Sequence, residues 1–199
     1  LAPEHLIGIC QMAALSPDGR CKTFDASADG FGQGEGCGVI ALKRLVDAQA
    51  DGDNVLAVGQ GSAANHDGQA RTVTTPSGPA QRAMLRDALK DAGITPHQVD
   101  FIETHGTGTP LGDPIEVSAI GRVFCEDREN ALYLGAVKAN VGHLDSAAGI
   151  AGLIKVVLSL QHKTIPLHRN FSEPNRHIPW DDWPIKIPLE NTAWEGKER

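Results

Sequence analysis

Twice in this 199-residue chain a short apolar run ends in a glycine-flanked histidine and gives way to a helical pattern. The run VDFIET (residues 99–104) leads straight into His105-Gly-Thr-Gly-Thr-Pro, and a helix is expected from Pro114 onward. The run 132–138 leads through Lys138-Ala-Asn-Val-Gly to His143, and a helix is expected over 146–162. Strands that alternate with helices imply a layered α/β sandwich around a largely buried sheet. In parallel α/β sheets the carboxyl ends of the strands gather into the crevice where ligands bind. The repeat therefore predicts that His105 and His143 face one cavity at one sheet edge.

The remaining elements follow from local signals. GVIALKRL (residues 38–45) and VLAVGQGSAA (residues 55–64) read as strands bounded by Gly or Asp turns. Met84, Leu85, Ala88, Leu89 and Ala92 share one face of a helix over 77–92, with Ser77 as cap, Pro79 in the first turn and Gly93 at the end. Asp113 reads as the N-cap of the next helix, and Glu116, three residues on, completes a capping box. The helix over 146–162 is apolar nearly all round and is expected to be buried on most sides. From Pro166 the chain is rich in Pro and Trp and reads as a segment draped over a surface rather than a core element.

Composition narrows the class. A formal net charge of −7 argues against a nucleic-acid partner, because phosphate binding calls for a basic face. Cys10, Cys21, Cys37 and Cys125 are scattered, without C-x-x-C pairing or His/Cys clustering, so they read as free thiols in a reducing, cytoplasmic compartment and give no metal site. Cys37 reads as a packed strand residue. The most apolar run, residues 147–160, falls short of the ~20 residues a bilayer span requires and contains Lys155, so no membrane partner is expected. The first residue is Leu1 rather than methionine, and the expectation is a piece cut from a longer chain.

Neutral imidazoles at positions 105 and 143 could donate hydrogen bonds to a carbonyl oxygen as it becomes an enolate, the stabilisation that carbanion chemistry at a thioester needs. The plainer alternative is two turn residues bonded to nearby backbone. Gly106, Gly108 and Gly142 either permit close backbone approach and positive φ or mark ordinary tight turns. No dinucleotide or nucleotide fingerprint occurs. Lys138, near the end of an apolar strand, must either extend its ammonium to solvent or find a carboxylate.

The segments ETHGTGTPLGDPIE (residues 103–116) and VKANVGHLDSAAGIAGLIKVVLSL (residues 137–160) resemble two signature blocks of β-ketoacyl synthases, and FDASADGFGQGEGCGVIALKRL (residues 24–45) resembles a third. The stretch HRNFSEPNRHIPWDD (residues 168–182) is similar to that of large multidomain polyketide synthases rather than free-standing fatty-acid synthases. The resemblance covers essentially the whole chain. It implies a thiolase-like α-β-α-β-α sandwich, incomplete at both ends, with residues 1–76 ending an N-terminal half, 77–165 forming most of a C-terminal half, and 166–199 leading toward final strands. The implied activity is acyl transfer by decarboxylative Claisen condensation. His105 and His143 would be the two active-site histidines, Lys138 would organise the second, and Asp113, Glu116 and Asn140 would support them. Thr107 and Thr109 would bind the phosphopantetheine arm of an acyl carrier protein, the expected partner alongside acyl and malonyl thioesters; no other cofactor is implied. The family's nucleophilic cysteine matches none of the four here and is expected upstream, so the fragment alone is expected to be inactive and the intact domain to be a homodimer. A thiolase-type acyltransferase and a silent, chain-length-factor-like module are the alternatives.

Overall fold

The computed structural model describes residues 3–68 and 75–194. Helices α1 (Pro3–Gln11), α2 (Leu45–Asp51) and α3 (Gly78–Ala92) precede the first strand. The expected signals bound α3: the Ser77 hydroxyl accepts the Ala80 N–H at 3.3 Å, and the helix stops at Gly93 with φ 68°. Glycine adopts that left-handed conformation without a Cβ clash.

The histidine-bearing units then form a parallel sheet. β1 (Phe101–Glu103) pairs with β2 (Leu132–Gly135), with α4 (Gly112–Phe124) between them in sequence. A short helix α5 (Lys138–Val141) and the long α6 (Ala148–His162) follow. β3 (Thr164–Ile165) pairs antiparallel with β5 (Thr192–Ala193), while β4 (Ile185–Lys186) adds to β2 in parallel, giving the order β1-β2-β4.

Side-chain alternation along the strands separates two helical layers. Ile102, Leu132 and Leu134 face Val117, Ile120 and Phe124 of α4, against which α3 packs. Glu103 and Gly135 face α6: Gly152 closes on the Glu103 side chain, and a Cβ on Gly135 would meet Phe101 and Lys155. Lys155, the one charge inside the apolar α6, reaches the Glu103 carboxylate at 2.7 Å and lies over the Phe101 ring. A half-buried ammonium is tolerated there because it has both an ion partner and a ring face.

Three expectations are corrected, and a fourth, the burial of α6, is an expectation for the full domain and is half met within these residues. Residues 38–45 and 55–64 are not strands: no edge among the described residues pairs with them, and Val39 and Leu42 are each 87% exposed. A short apolar run between turn residues would fit a sheet, but hydrogen bonding to a neighbour makes the strand. Cys37, which directly precedes the first of these stretches, is exposed rather than packed. Helix α6 is only half-covered: Ala148, Gly152 and Ser159 are buried while Leu153 and Leu158 are 46% and 47% exposed. Its uncovered face, with Gly36, Cys37 and Gly38, lines an open apolar groove of about 550 Å³. The segment after Pro166 is not merely draped: it supplies β4, and Ile178 and Ile185 enter the core. Its last five residues, 195–199, lie outside the described residues.

Trp183 from this segment lies against α4 at Gly121, where a Cβ would come within 2.2 Å of the indole. Alanine is the better helix former by about 1 kcal/mol. Overpacking of about 1–3 kcal/mol should outweigh that gain. Gly121→Ala is therefore expected to lower the denaturant midpoint, and a raised midpoint would refute this packing.

Candidate active site

The ends of β1 and β2 are locked before either histidine begins. Thr104 donates both its N–H and its hydroxyl to the Gly135 carbonyl, each at 2.8 Å. Beyond this lock the chain turns sharply. Gly106 and Gly108 have φ of 45° and 76°, and a Cβ on Gly106 would collide with Thr104, Ala136 and Thr23. The turn's N–H groups need acceptors, since buried backbone donors are rarely left unmade. The Glu116 carboxylate accepts from His105 N at 2.6 Å and from Gly106 N at 2.9 Å. Asp113 accepts from Gly108 N at 3.1 Å and, across the fold, from Phe24 N at 2.7 Å. The Thr23 hydroxyl donates to the Gly106 carbonyl at 2.6 Å.

Asp113 and Glu116 thus do not form a capping box. The helix begins two residues earlier, at Gly112, whose N–H is accepted by the Thr109 hydroxyl at 3.1 Å. Both carboxylates instead serve the histidine turn and residue 24. Lost hydration pushes Asp113 up to about 6 and Glu116 up to about 7, against the pull of the N–H groups they accept.

The second unit differs from its sequence reading at Lys138, which starts α5 instead of ending β2. The lysine is 5% exposed. Burial pulls its ammonium down, opposed by the Glu116 and Glu103 carboxylates. α5 ends at Gly142 with φ 78°, where a Cβ would meet the Gly32 carbonyl, and the next residue is His143. His143 forms a parallel bridge with Gln33: its N–H donates to Gly32 O at 2.7 Å and its carbonyl accepts from Gly34 N at 2.9 Å.

The rings of His105 and His143 meet edge to face with centroids 5.6 Å apart, and Phe31 packs on His143 at 5.0 Å. The structure therefore brings the two predicted histidines together at the carboxyl ends of adjacent parallel strands. His105 is pulled down to about 4, by lost hydration and then by the Lys138 ammonium and His143. The residue keeps solvent access, so the persistent effect is the nearby positive charge; either way the imidazole is neutral at pH 7. His143 is lowered for the same two leading reasons. Its Nδ1 accepts the Asp145 N–H at 3.0 Å, which leaves the ring proton on Nε2. Two neutral imidazoles at this spacing can donate to one developing oxyanion.

Other predicted residues are less engaged with the pair. Thr107 is buried and its hydroxyl lies 3.3 Å from that of Thr109, which also serves α4. Asn140 is exposed on α5. Sequence reasoning missed Thr23, Gln33 and Asp145 as members of the site. Gln33 lies in the glycine-rich block over 24–45, Thr23 just before it, and Asp145 in the block over 137–160 that carries His143. Among the described residues no cluster of His, Cys, Asp and Glu is arranged to hold a metal ion. No helix among them is long and apolar enough to cross a membrane.

Comparison with known proteins follows this geometry. Residues 1–48 match the family model described as the N-terminal domain of beta-ketoacyl synthase, and residues 56–172 match its C-terminal domain. The chain is 51% identical over 196 residues to a phenolphthiocerol/phthiocerol polyketide synthase of Mycobacterium tuberculosis, covering 98% of this chain and 10% of that protein. It is 46% identical over 197 residues to highly reducing polyketide synthase 40 of Fusarium mangiferae, covering 98% of this chain and 8% of that protein. Among solved structures it matches the ketosynthase from module 6 of the bacillaene synthase of Bacillus subtilis 168, with a TM-score of 0.96 and 42% identity, over 100% of this chain and 36% of that one. It also matches the oxazolomycin ketosynthase domain of Streptomyces albus, with a TM-score of 0.94 and 36% identity, over 97% of this chain and 34% of that one. The chain thus spans about a tenth of the length of the curated relatives it matches.

A neutral His105 has a direct chemical consequence. Its lowered pKa means that the free base persists well below the usual titration range, so carbethoxylation of His105, read by peptide mass, should stay flat from about pH 8 to about pH 5. A midpoint near the ordinary value of about 6.5 would show that neither lost hydration nor the Lys138 ammonium acts on it.

Proposed function

This chain belongs to the β-ketoacyl synthase family, and from that membership we propose that it supplies the two-histidine half of a condensing site in a polyketide synthase. The fold is thiolase-like, as in the ketosynthases it matches. The observation that carries the functional reading is the edge-to-face pair of neutral imidazoles, 5.6 Å apart, at the carboxyl ends of two hydrogen-bonded parallel strands. A malonyl thioester carbonyl held between them would gain two donors as it becomes an enolate.

The proposed reaction has atoms and electrons in balance. The malonyl carboxylate leaves as CO₂, and the C–C bond pair passes into the thioester enolate. The enolate then attacks the carbonyl of a cysteine-bound acyl thioester, forming a carbon–carbon bond and releasing thiolate. Burial pulls the Lys138 ammonium down and the Glu116 and Glu103 carboxylates hold it up; in its charged form it favours neutral imidazoles and would attract the malonyl carboxylate. Thr107 and Thr109 line the turn, where the phosphopantetheine arm of a carrier protein would lie. That arm arrives with the substrate, and no resident metal or redox group takes part in the proposal.

The acyl-accepting thiol is proposed to come from outside these 199 residues. Burial pushes the Cys21 and Cys125 thiols up, which disfavours the thiolate a nucleophile requires. Acting in isolation, the chain should then form no catalytic acyl-enzyme. A homodimeric ketosynthase working in the cytoplasm with acyl carrier protein is the context this reading implies. Two intact, paired histidines favour catalysis over the silent-module alternative.

The test uses the full-length protein. His143→Ala should cut condensation by at least about 100-fold, the usual loss for one oxyanion donor, while intact mass still shows acyl loading on cysteine. Equal loss of loading would assign His143 to activation of the nucleophile and overturn the reading.

A further inference from the structure

We propose that Gln33 is a positioning residue that selects the tautomer of His143 by restraining the Asp145 carboxylate. Asp145 presents two groups to the imidazole with opposite consequences. Its N–H donates to Nδ1 at 3.0 Å, which keeps the ring proton on Nε2. Its carboxylate oxygen Oδ1 lies only 3.8 Å from the same Nδ1, just beyond hydrogen-bond range. A small rotation would let that carboxylate accept a proton from Nδ1, and Nε2 would become a bare lone pair unable to donate to a substrate carbonyl.

Gln33 opposes that rotation. Its Nε2 donates to the other carboxylate oxygen, Asp145 Oδ2, at 2.7 Å, across 112 residues of chain. The Gln33 backbone is itself registered on His143 by the parallel bridge through Gly32 O and Gly34 N. The clamp is therefore anchored to the residue it serves. Asp145 has φ 47°, a left-handed conformation that aspartate tolerates, and a further observation agrees with the clamp. The Gln33 carbonyl oxygen is buried with no partner among the described residues, so the amide is held by the bonds its nitrogen donates, to Asp145 and, at 3.5 Å, to Gly34 O.

The kinetic arm of the test rests on the condensing role proposed above; the chemical arm does not. In the full-length protein, Gln33→Met removes the amide at nearly constant volume. A ring in the wrong tautomer cannot donate, so kcat for malonyl-thioester decarboxylation should fall at least about tenfold with KM little changed. Adding Asp145→Gly deletes the competing carboxylate, keeps the N–H and suits the left-handed backbone; the double variant should regain most of the loss. In the chemical arm, carbethoxylation of His143, read by peptide mass, should quicken in Gln33→Met as Nε2 becomes the free lone pair, and return toward the original rate in the double variant. A drop in kcat that Asp145→Gly fails to rescue would make Gln33 a packing residue and overturn the proposal. Unchanged His143 carbethoxylation in Gln33→Met would overturn it whether or not the protein decarboxylates. A protein that shows the carbethoxylation pattern but no decarboxylation keeps the clamp and refutes the proposed function instead.

Discussion

The N–H groups of the His105 turn find their acceptors on the first turn of α4, where Glu116 takes those of His105 and Gly106 and Asp113 takes that of Gly108. Asp113 accepts from Phe24 with its second oxygen, so one helix turn fastens a loop 89 residues away to the same point. Everything around the site depends on this grip. It fixes the angle at which His105 leaves β1, and it draws residues 23–34 against the turn. Those residues in turn hold His143 in its bridge. Removing the carboxylates would leave several buried donors unmade, each worth about 1–3 kcal/mol.

The same grip shapes the electrostatics. Asp113 and Glu116 are buried to serve backbone, and burial raises them toward neutrality. Lys138 is buried beside them and moves in the opposite sense. An ion network that is partly neutralised still leaves a positive influence on both imidazoles, whose lowered pKa values keep them as donors rather than cations. Under the proposed function, this suits the site to polarising a carbonyl, with charged groups close to two neutral rings.

Two misread elements show why pattern and structure part. Residues 38–45 carry the short apolar run Val39-Ile40-Ala41-Leu42 between turn residues, yet they stand exposed, because a strand is completed by an edge and an apolar run says only that an edge would be favoured. Asp113 and Glu116 have the spacing of a capping box, yet Thr109 takes over the helix N–H while the carboxylates turn to distant donors. Local spacing makes capping possible. Competition from a buried N–H elsewhere in the fold decides whether it happens.

The sequence alone determined the features whose cause lies within a few residues. Ser77 and Gly93 bound α3 because a cap needs only the adjoining turn. The two strand-to-histidine units were legible because glycines at 106, 108 and 142 announce backbone turns that other residues enter only under strain. Tertiary structure alone decided the rest. That β4 joins the sheet, that Lys138 opens a helix, and that Gln33 reaches Asp145 across 112 residues are outcomes of chain closure. Long-range closure brings together groups whose spacing in sequence carries no periodic signal, so only the folded chain displays their partnership.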